Sequence, residues 1–337
     1  MRRNVLIVRH DRLGDAVLAT PLPREIKRAW PDARVGVLVR GYTRDIFAHD
    51  PHVDVVLTDD FTPATRGPAF WSRVRELRRH RFTHGLMLLA DQRIAYMLAA
   101  AGIPVRVGHG ITLYHALSLT RPVLTRKRRP GRHEGDYALD LLRAIGIEPA
   151  DTQPRIHLTD GERRTAAWRR REWDADGRRI VGLHTTSGRS SANWEPAAWA
   201  ELAALLVADP GLRVVVTDDA PPPAVAAVPG VVLPNRRAPL RAALVNLAAL
   251  DLLVSASTGP MHAAAALGVP TLSLFCPLPA CEPALWGARG PLAVAVTPSA
   301  GYCGARCPGD PKLCTFAGSE RLSPAALARR VLAFPQP

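Results

Sequence analysis

Long apolar runs are missing from this 337-residue chain. Although 47% of its residues are hydrophobic, no stretch approaches the ~18–20 uninterrupted apolar residues of a membrane-spanning helix. The opening Met1-Arg2-Arg3 and Val5–Val8 have the look of a secretory leader, but Arg9, His10, Asp11 and Arg12 cut the apolar run short. It reads instead as a first buried strand. A cytoplasmic protein is expected, with a peripheral place at the inner membrane left open. Cysteine is scarce: five residues, Cys276, Cys281, Cys303, Cys307 and Cys314, all in the last fifth of the chain. The C-x3-C-x6-C spacing at 303–314 lacks the paired C-x2-C repeats of a strong zinc site. Reduced thiols are expected, a structural metal or disulfide stays open, and no metal or cofactor is assigned to the chemistry. No G-x-G-x-x-G follows the first strand, which argues against dinucleotide binding.

Acidic residues are also outnumbered, 30 to 44 Lys plus Arg, for a formal charge of +14. No nucleic-acid recognition signature or basic–aromatic interleaving accompanies that excess, so nucleic acid is not an expected partner. Two readings stand. Arginine simply covers solvated faces, or it attracts phosphates on a nucleotide sugar, an anionic lipid acceptor or the inner leaflet. The densest run is 121–132, with Arg121, Arg126, Lys127, Arg128, Arg129 and Arg132. It has no apolar face and is expected to be a loop.

Strands and helices alternate along the chain. Strands are expected at 4–8, 34–39, 53–57 and 85–89, with helices at about 15–29, 69–80 and 134–146. Pro21 and Pro23 should delay or kink the helix at 15–29. Residues 147–164 are polar, proline-bearing and aperiodic, as a linker would be. The pattern then restarts, with strands at 179–184, 212–217, 251–255 and 270–275 and helices at 196–208, 239–249 and 260–267. Such alternation implies an α/β chain with parallel sheets covered on both faces. Two halves of this kind place ligands at the carboxyl ends of their strands. At 337 residues, two domains of roughly 150 residues each are expected.

Two loops carry chemistry. Arg9-His10-Asp11-Arg12-Leu13-Gly14-Asp15 follows the first strand. Gly14 permits a tight turn, and Asp15 is either a cap for the next helix or a general base for an acceptor hydroxyl. The second loop, Ser255-Ala256-Ser257-Thr258-Gly259-Pro260-Met261-His262, is made of small residues opening onto a helix that Gly268 should end. Ser257 or Thr258 can cap, Pro260 suits a first helical position, and free backbone N–H groups there can cradle a diphosphate. His262 could reach a phosphate oxygen or be structural.

These pieces resemble the lipopolysaccharide heptosyltransferase family, glycosyltransferase family 9. Residues 6–23, LIVRHDRLGDAVLATPLP, are similar to its opening, a strand followed by L-G-D, small apolar residues and proline. Residues 257–277, STGPMHAAAALGVPTLSLFCP, are similar to its T-G-x-x-H-x-A-A-A-L-x-x-P-T signature. His133-Glu134, Trp194 with Trp199, and Trp286-Gly287 resemble further family stretches in the right order. The resemblance implies a GT-B fold, two Rossmann-like domains with parallel sheets facing an interdomain cleft. The domains implied are 1–150 for the acceptor and 165–320 for the nucleotide sugar, with a helix at 321–337 packing back across them. It implies an inverting, metal-independent glycosyl transfer with Asp15 as the base. The nucleotide-sugar donor, ADP-heptose in the best-known members, would use Thr185, Thr186, Arg189, Ser257, Thr258, Gly259, Pro260, Met261 and His262. Arg12, Gly14 and His133 would lie on the side of an anionic glycolipid acceptor. The sequence departs from the family at Ser257, where many members carry Asp, and at Ala192, where a lysine is common. Arg189 is the expected substitute, since a guanidinium pairs well with phosphate. A family-9-like enzyme with a non-heptose donor and an O-antigen or metabolite acceptor remains an alternative reading, as does a non-catalytic nucleotide-sugar-binding protein.

Overall fold

A computed structural model describes residues 3–59, 67–110, 113–124, 131–188, 191–290 and 292–335. The chain divides into two compact units, Met1–His157 and Leu158–Pro337.

The strands of the first unit are β1 (Asn4–Arg9), β2 (Arg34–Val39), β3 (Val55–Thr58), β4 (His84–Met87), β5 (Val105–His109) and β6 (Arg121–Val123). Its helices are α1 (Leu13–Leu18), α2 (Pro21–Ala29), α3 (Pro68–His80), α4 (Gln92–Ala100), α5 (Leu113–Ser118) and α6 (Glu134–Arg143). The sheet runs β3-β2-β1-β4-β5-β6 with every pair parallel. Val5 to Val8 are buried without alternation, because a central parallel strand is covered on both faces. Leu6, Val8 and Leu38 pack with Val74, Leu77, Ile94 and Leu98 of α3 and α4 in one apolar cluster.

Where one helix was expected at 15–29, there are two. α1 stops at Leu18, the Thr20 hydroxyl donates to the Val17 carbonyl at 2.8 Å, and Pro21 opens α2. Proline cannot supply the N–H that a continuous helix would need there. Gly146 ends the α6 region with φ +83°, a left-handed geometry that glycine adopts at no steric cost.

Residues 147–164 differ from a free linker. The fully buried Glu25 of α2 accepts the backbone N–H groups of Ala150 at 2.7 Å and Asp151 at 3.2 Å. From Asp160 the chain is already helical, in α7 (Asp160–Trp173). Thr159 and Glu162 form a reciprocal capping box that starts this helix. Glu162 also accepts two hydrogen bonds from Arg241, each of 2.7 Å, which hold its carboxyl down to about 2.

The second unit has β7 (Arg179–His184), β8 (Leu212–Val216), β9 (Leu252–Ala256), β10 (Thr271–Leu274) and β11 (Ala293–Val296). Beyond α7, its helices are α8 (Pro196–Val207), α9 (Pro223–Ala226), α10 (Leu240–Leu247), α11 (Gly259–Ala266), α12 (Pro283–Trp286), α13 (Ala300–Arg306) and α14 (Pro324–Leu332). Its parallel sheet runs β11-β10-β9-β7-β8. Trp199, Leu202 and Leu206 of α8 share the core with Leu327 and Val331 of α14.

Both sheets reverse direction beside their first strand. In the first, the chain builds outward through β2 and β3, then returns to place β4 on the other side of β1. In the second, β8 lies on one side of β7 and β9 on the other. The loops leaving β1 and β4, and those leaving β7 and β9, therefore border a crevice at the carboxyl edge of each sheet, where α/β proteins bind ligands.

Candidate active site

In the first unit, the loop after β1 is organised by an arginine. Arg9 is almost fully buried at the end of the strand; its Nε lies 2.7 Å from Asp11 and its Nη2 lies 2.6 Å from Asp15. Burial works against a charged guanidinium. The carboxyls of Asp11, Asp15 and Glu134 outweigh that cost and hold Arg9 above its ordinary value. Asp11 responds in the opposite sense. Burial pushes its carboxyl up to about 6, with Asp15 adding to the rise and Arg9 opposing it. Across the crevice, His10 Nε2 stands 3.5 Å from Asp91, which follows β4. The His10 hydrogen bond, more than any other influence, holds Asp91 below the usual carboxylate range.

Asp15 is not a helix cap. The N-cap position of α1 belongs to Arg12, and Asp15 lies in the first turn with its carboxyl engaged by Arg9 rather than by backbone N–H groups. Its side chain keeps 14% of its surface open, unlike the 5% of Arg9. Gly14 is a buried residue inside α1 rather than the tight turn expected before it, and Arg12 is exposed. His133, expected on the acceptor side, caps α6, with its Nδ1 accepting the Gly135 N–H at 3.1 Å.

In the second unit, Thr185 and Thr186 leave β7 beside the loop that leaves β9, since His184 pairs in register with Ser255. Both threonines converge on Asp218, which is fully buried after β8. Thr185 donates its N–H at 2.9 Å and its hydroxyl at 3.0 Å; Thr186 donates its N–H at 2.8 Å and its hydroxyl at 2.5 Å. The two threonine side chains thus shape the loop from within. Asn193 extends the brace, donating to the Thr185 carbonyl at 2.8 Å and accepting from Trp199 Nε1 at 3.1 Å. Burial lowers the pKa of the neighbouring His184, with Asp218 and Asp219 opposing the shift.

The α11 end is open in a different way. Thr258 occupies the N-cap position with extended backbone but makes no side-chain capping bond, and Gly259 rather than Pro260 is the first helical residue. Ser257 to Pro260 are half-buried, whereas Met261 and His262 are buried. Gly268 follows the helix with φ +85°. The first-turn N–H groups of α11 lie beside the loop at 185–186, the arrangement that binds anions at helix N-termini. Arg189 lies outside the described residues. Ala192, at the position where family members often carry lysine, is 1% exposed.

Residues 70–298 match the sequence profile of glycosyltransferase family 9 (heptosyltransferase), more than half of the chain. The chain belongs to glycosyltransferase family 9. A Haemophilus influenzae protein that carries a glycosyltransferase name is 23% identical over 84% of this chain and 85% of its own length. Lipopolysaccharide heptosyltransferase 3 of Escherichia coli is 23% identical over 78% of this chain and 80% of its own. The structure of E. coli ADP-heptose lps heptosyltransferase II superposes with a TM-score of 0.72 at 18% identity, covering 99% of this chain and 98% of that one. The expected GT-B fold is therefore the fold of this family-9 chain, α/β with two parallel sheets.

Two groups in these loops, one in each unit, escaped the sequence reading. Asp218 stood in a Thr217-Asp218-Asp219-Ala220 stretch without the preceding G-G that would mark an acidic position there, and only β7–β8 pairing brings it to Thr185. Asp91 carried a signal, an aspartate just before a helical stretch; it accepts the Ile94 N–H at 2.9 Å as a cap. Among the described residues, no helix is long and apolar enough to cross a membrane.

Proposed function

We propose that this family-9 chain transfers a sugar, heptose in the first instance, from a nucleoside diphosphate donor to a phosphorylated glycolipid acceptor. Asp15 takes the proton from the acceptor hydroxyl. The acceptor oxygen bonds to the anomeric carbon as the bond to the diphosphate breaks on the opposite face, so configuration inverts. The diphosphate leaves with its negative charge against the N–H groups of the first turn of α11, beside Thr185 and Thr186. The transfer step uses no metal, because the backbone N–H groups of the helix terminus meet the leaving-group charge. Arg12, Gly14 and the run at 121–132 belong to the acceptor side. The exposed Leu113, Leu117 and Leu124, close to Arg121 in sequence, suit a lipid surface.

The observation that carries this reading is the state of Asp15. It is a partly open carboxylate, fastened at one oxygen by a buried arginine, at the reversal point of its sheet. A general base needs that combination of fixed position and access. The E. coli relative of the same fold is named for ADP-heptose, which makes that donor the first to test. Asp15→Asn should bind donor normally and lose about 10²–10⁴-fold in turnover. Near-normal turnover in that variant would remove Asp15 from the mechanism.

A second reading keeps the chemistry and changes the donor sugar. It is favoured by Ser257 and by the buried Ala192, two positions where the chain lacks charged groups common in the family. Turnover of UDP-, GDP- or dTDP-sugars in preference to ADP-heptose would select it. Inability to use any donor would favour a binding protein instead.

A further inference from the structure

A second cluster of reactive side chains lies away from the loop after β1. Asp50, in the turn that precedes β3, has a side chain only 3% exposed. Its Oδ1 accepts the backbone N–H of His52 at 2.9 Å and lies 2.9 Å from His52 Nδ1. His157, at the far end of the first unit in sequence, brings its Nε2 to 3.9 Å from the same oxygen. The two imidazoles lie 6.2 Å apart, centroid to centroid, tilted by 59°. One carboxylate oxygen and two ring nitrogens fall within 4.8 Å of one another.

We propose that Asp50, His52 and His157 form a binding site for a divalent transition-metal ion of the zinc class, which fastens the segment at 147–157 to the turn before β3. Imidazole and carboxylate ligands suit such ions. Zinc holds its nitrogen and oxygen ligands at about 2.0–2.2 Å, so tetrahedral neighbours stand roughly 3.3–3.6 Å apart. The separations of 2.9 and 3.9 Å to the shared oxygen bracket that spacing, and an ion would take the place of the hydrogen bond between His52 and Asp50. Access is one-sided. His52 and His157 each keep about 30% of their side-chain surface open while Asp50 closes the floor. An ion would therefore enter from solvent and keep water on its open side.

Neighbouring charge does not oppose the site strongly. The charges of Arg24 and Arg155 are felt at His157, and both are paired with Asp151, at 3.0 and 2.6 Å. The crossover chain itself is already tied down nearby, with the Arg155 N–H donating to Thr20 at 3.0 Å. A metal would thus join two elements that the fold holds in place without it. That is why loss of the ion should loosen the unit rather than unfold it.

The test is titration of the full-length protein with Co²⁺ and with Zn²⁺ at neutral pH, followed by visible absorption and calorimetry. One ion per chain should bind at this site, with ligand-field bands and no thiolate-to-cobalt charge transfer. Thiolate charge transfer would mark ions taken by the five cysteines. His157→Ala, a change at a half-exposed side chain, should remove that one equivalent or weaken it at least about tenfold, the lower bound for disturbing a metal's supporting groups. Asp50→Asn keeps an acceptor for the His52 N–H, so it preserves the turn while weakening the ion. Zn²⁺ should raise the melting temperature of the parent and leave that of His157→Ala unchanged. The proposal is overturned if the parent binds no ion with nitrogen–oxygen bands, or if both variants bind as the parent does.

Discussion

Removing the Asp218 carboxyl is the sharpest perturbation available in the second unit. In Asp218→Ala, four donors lose their acceptor together: the N–H and hydroxyl of Thr185 and of Thr186. A hydrogen bond to a charged group contributes about 1.5–3 kcal/mol net, so a naive sum would reach roughly 6–12 kcal/mol. That sum is too large. The Thr186 hydroxyl is half-buried and can turn to water, and losses within one cluster are not additive. The two backbone N–H groups and the buried Thr185 hydroxyl cannot escape as easily. A loss of about 3–5 kcal/mol is expected, among the largest that single substitutions produce. Asp218→Asn keeps one oxygen but turns an amide toward donors, and should cost about 2–3 kcal/mol. Urea unfolding followed by tryptophan fluorescence reads this directly, because Trp194 and Trp199 pack edge-to-face at 4.9 Å in the same unit. With m near 2–3 kcal/mol/M, the alanine variant should unfold roughly 1–2 M earlier at constant m. Nucleoside diphosphate affinity should fall with it, since the loop at 185–186 would lose its shape. A shift worth less than about 1 kcal/mol in the alanine variant would show that the Asp218 network does not hold the loop.

Other outcomes follow from the same geometry. His262→Ala and Gly259→Val should each weaken nucleoside diphosphate binding by about 5–30-fold, the worth of one to two kcal/mol; calorimetry showing unchanged affinity in both would move the donor away from α11. Asp11 has a folded pKa of about 6, above its ordinary 3.8, so the folded state binds its proton more tightly than the unfolded state. The stability this supplies is present in full below about pH 4 and is lost as pH rises through 6. Asp11→Asn should flatten that part of the melting-temperature profile between pH 4 and 7, and a parallel profile would refute the burial argument. Reversing three charges within Arg126 to Arg129 should raise KM for a phosphorylated acceptor and reduce its salt dependence while sparing donor binding. Unchanged acceptor kinetics would make the positive charge a matter of composition alone.

How much could be read from the residues depended on how far each interaction reaches along the chain. β1, β2 and β7 were legible because central parallel strands leave uninterrupted apolar runs. Gly146 and Gly268 were legible because a left-handed stop has few substitutes. The loop after β1 stood out in the sequence as a place of charged residues, but the job of Arg9 did not. Arginines are rarely buried, and only the first turn of α1 brings Asp15 back onto it. Asp218 with Thr185, and Asp50 with His157, meet only after sheets form, so nothing local marks them. α7 is the opposite case. Its Thr159-x-x-Glu162 capping box lay in plain view, and the polar stretch before it carried more weight than it should have.

The attachment of α14 has a consequence for how the polypeptide is made. Arg179, at the first position of β7, donates to the carbonyls of Val331 at 3.1 Å and Phe334 at 3.0 Å. Trp194 Nε1 likewise donates to the Leu322 carbonyl at 3.0 Å. The opening strand of the second unit therefore waits for residues about 150 positions downstream. At roughly 5–20 residues per second, a ribosome delivers them many seconds after β7 has emerged. The first unit completes its sheet by Val123, although Glu25 and Thr20 still wait for Ala150, Asp151 and Arg155. During that interval the face of α8 that packs on Leu327 and Val331 is bare. A stop codon just before residue 322 would make the interval permanent, producing a chain whose first unit is intact and whose second is prone to aggregate.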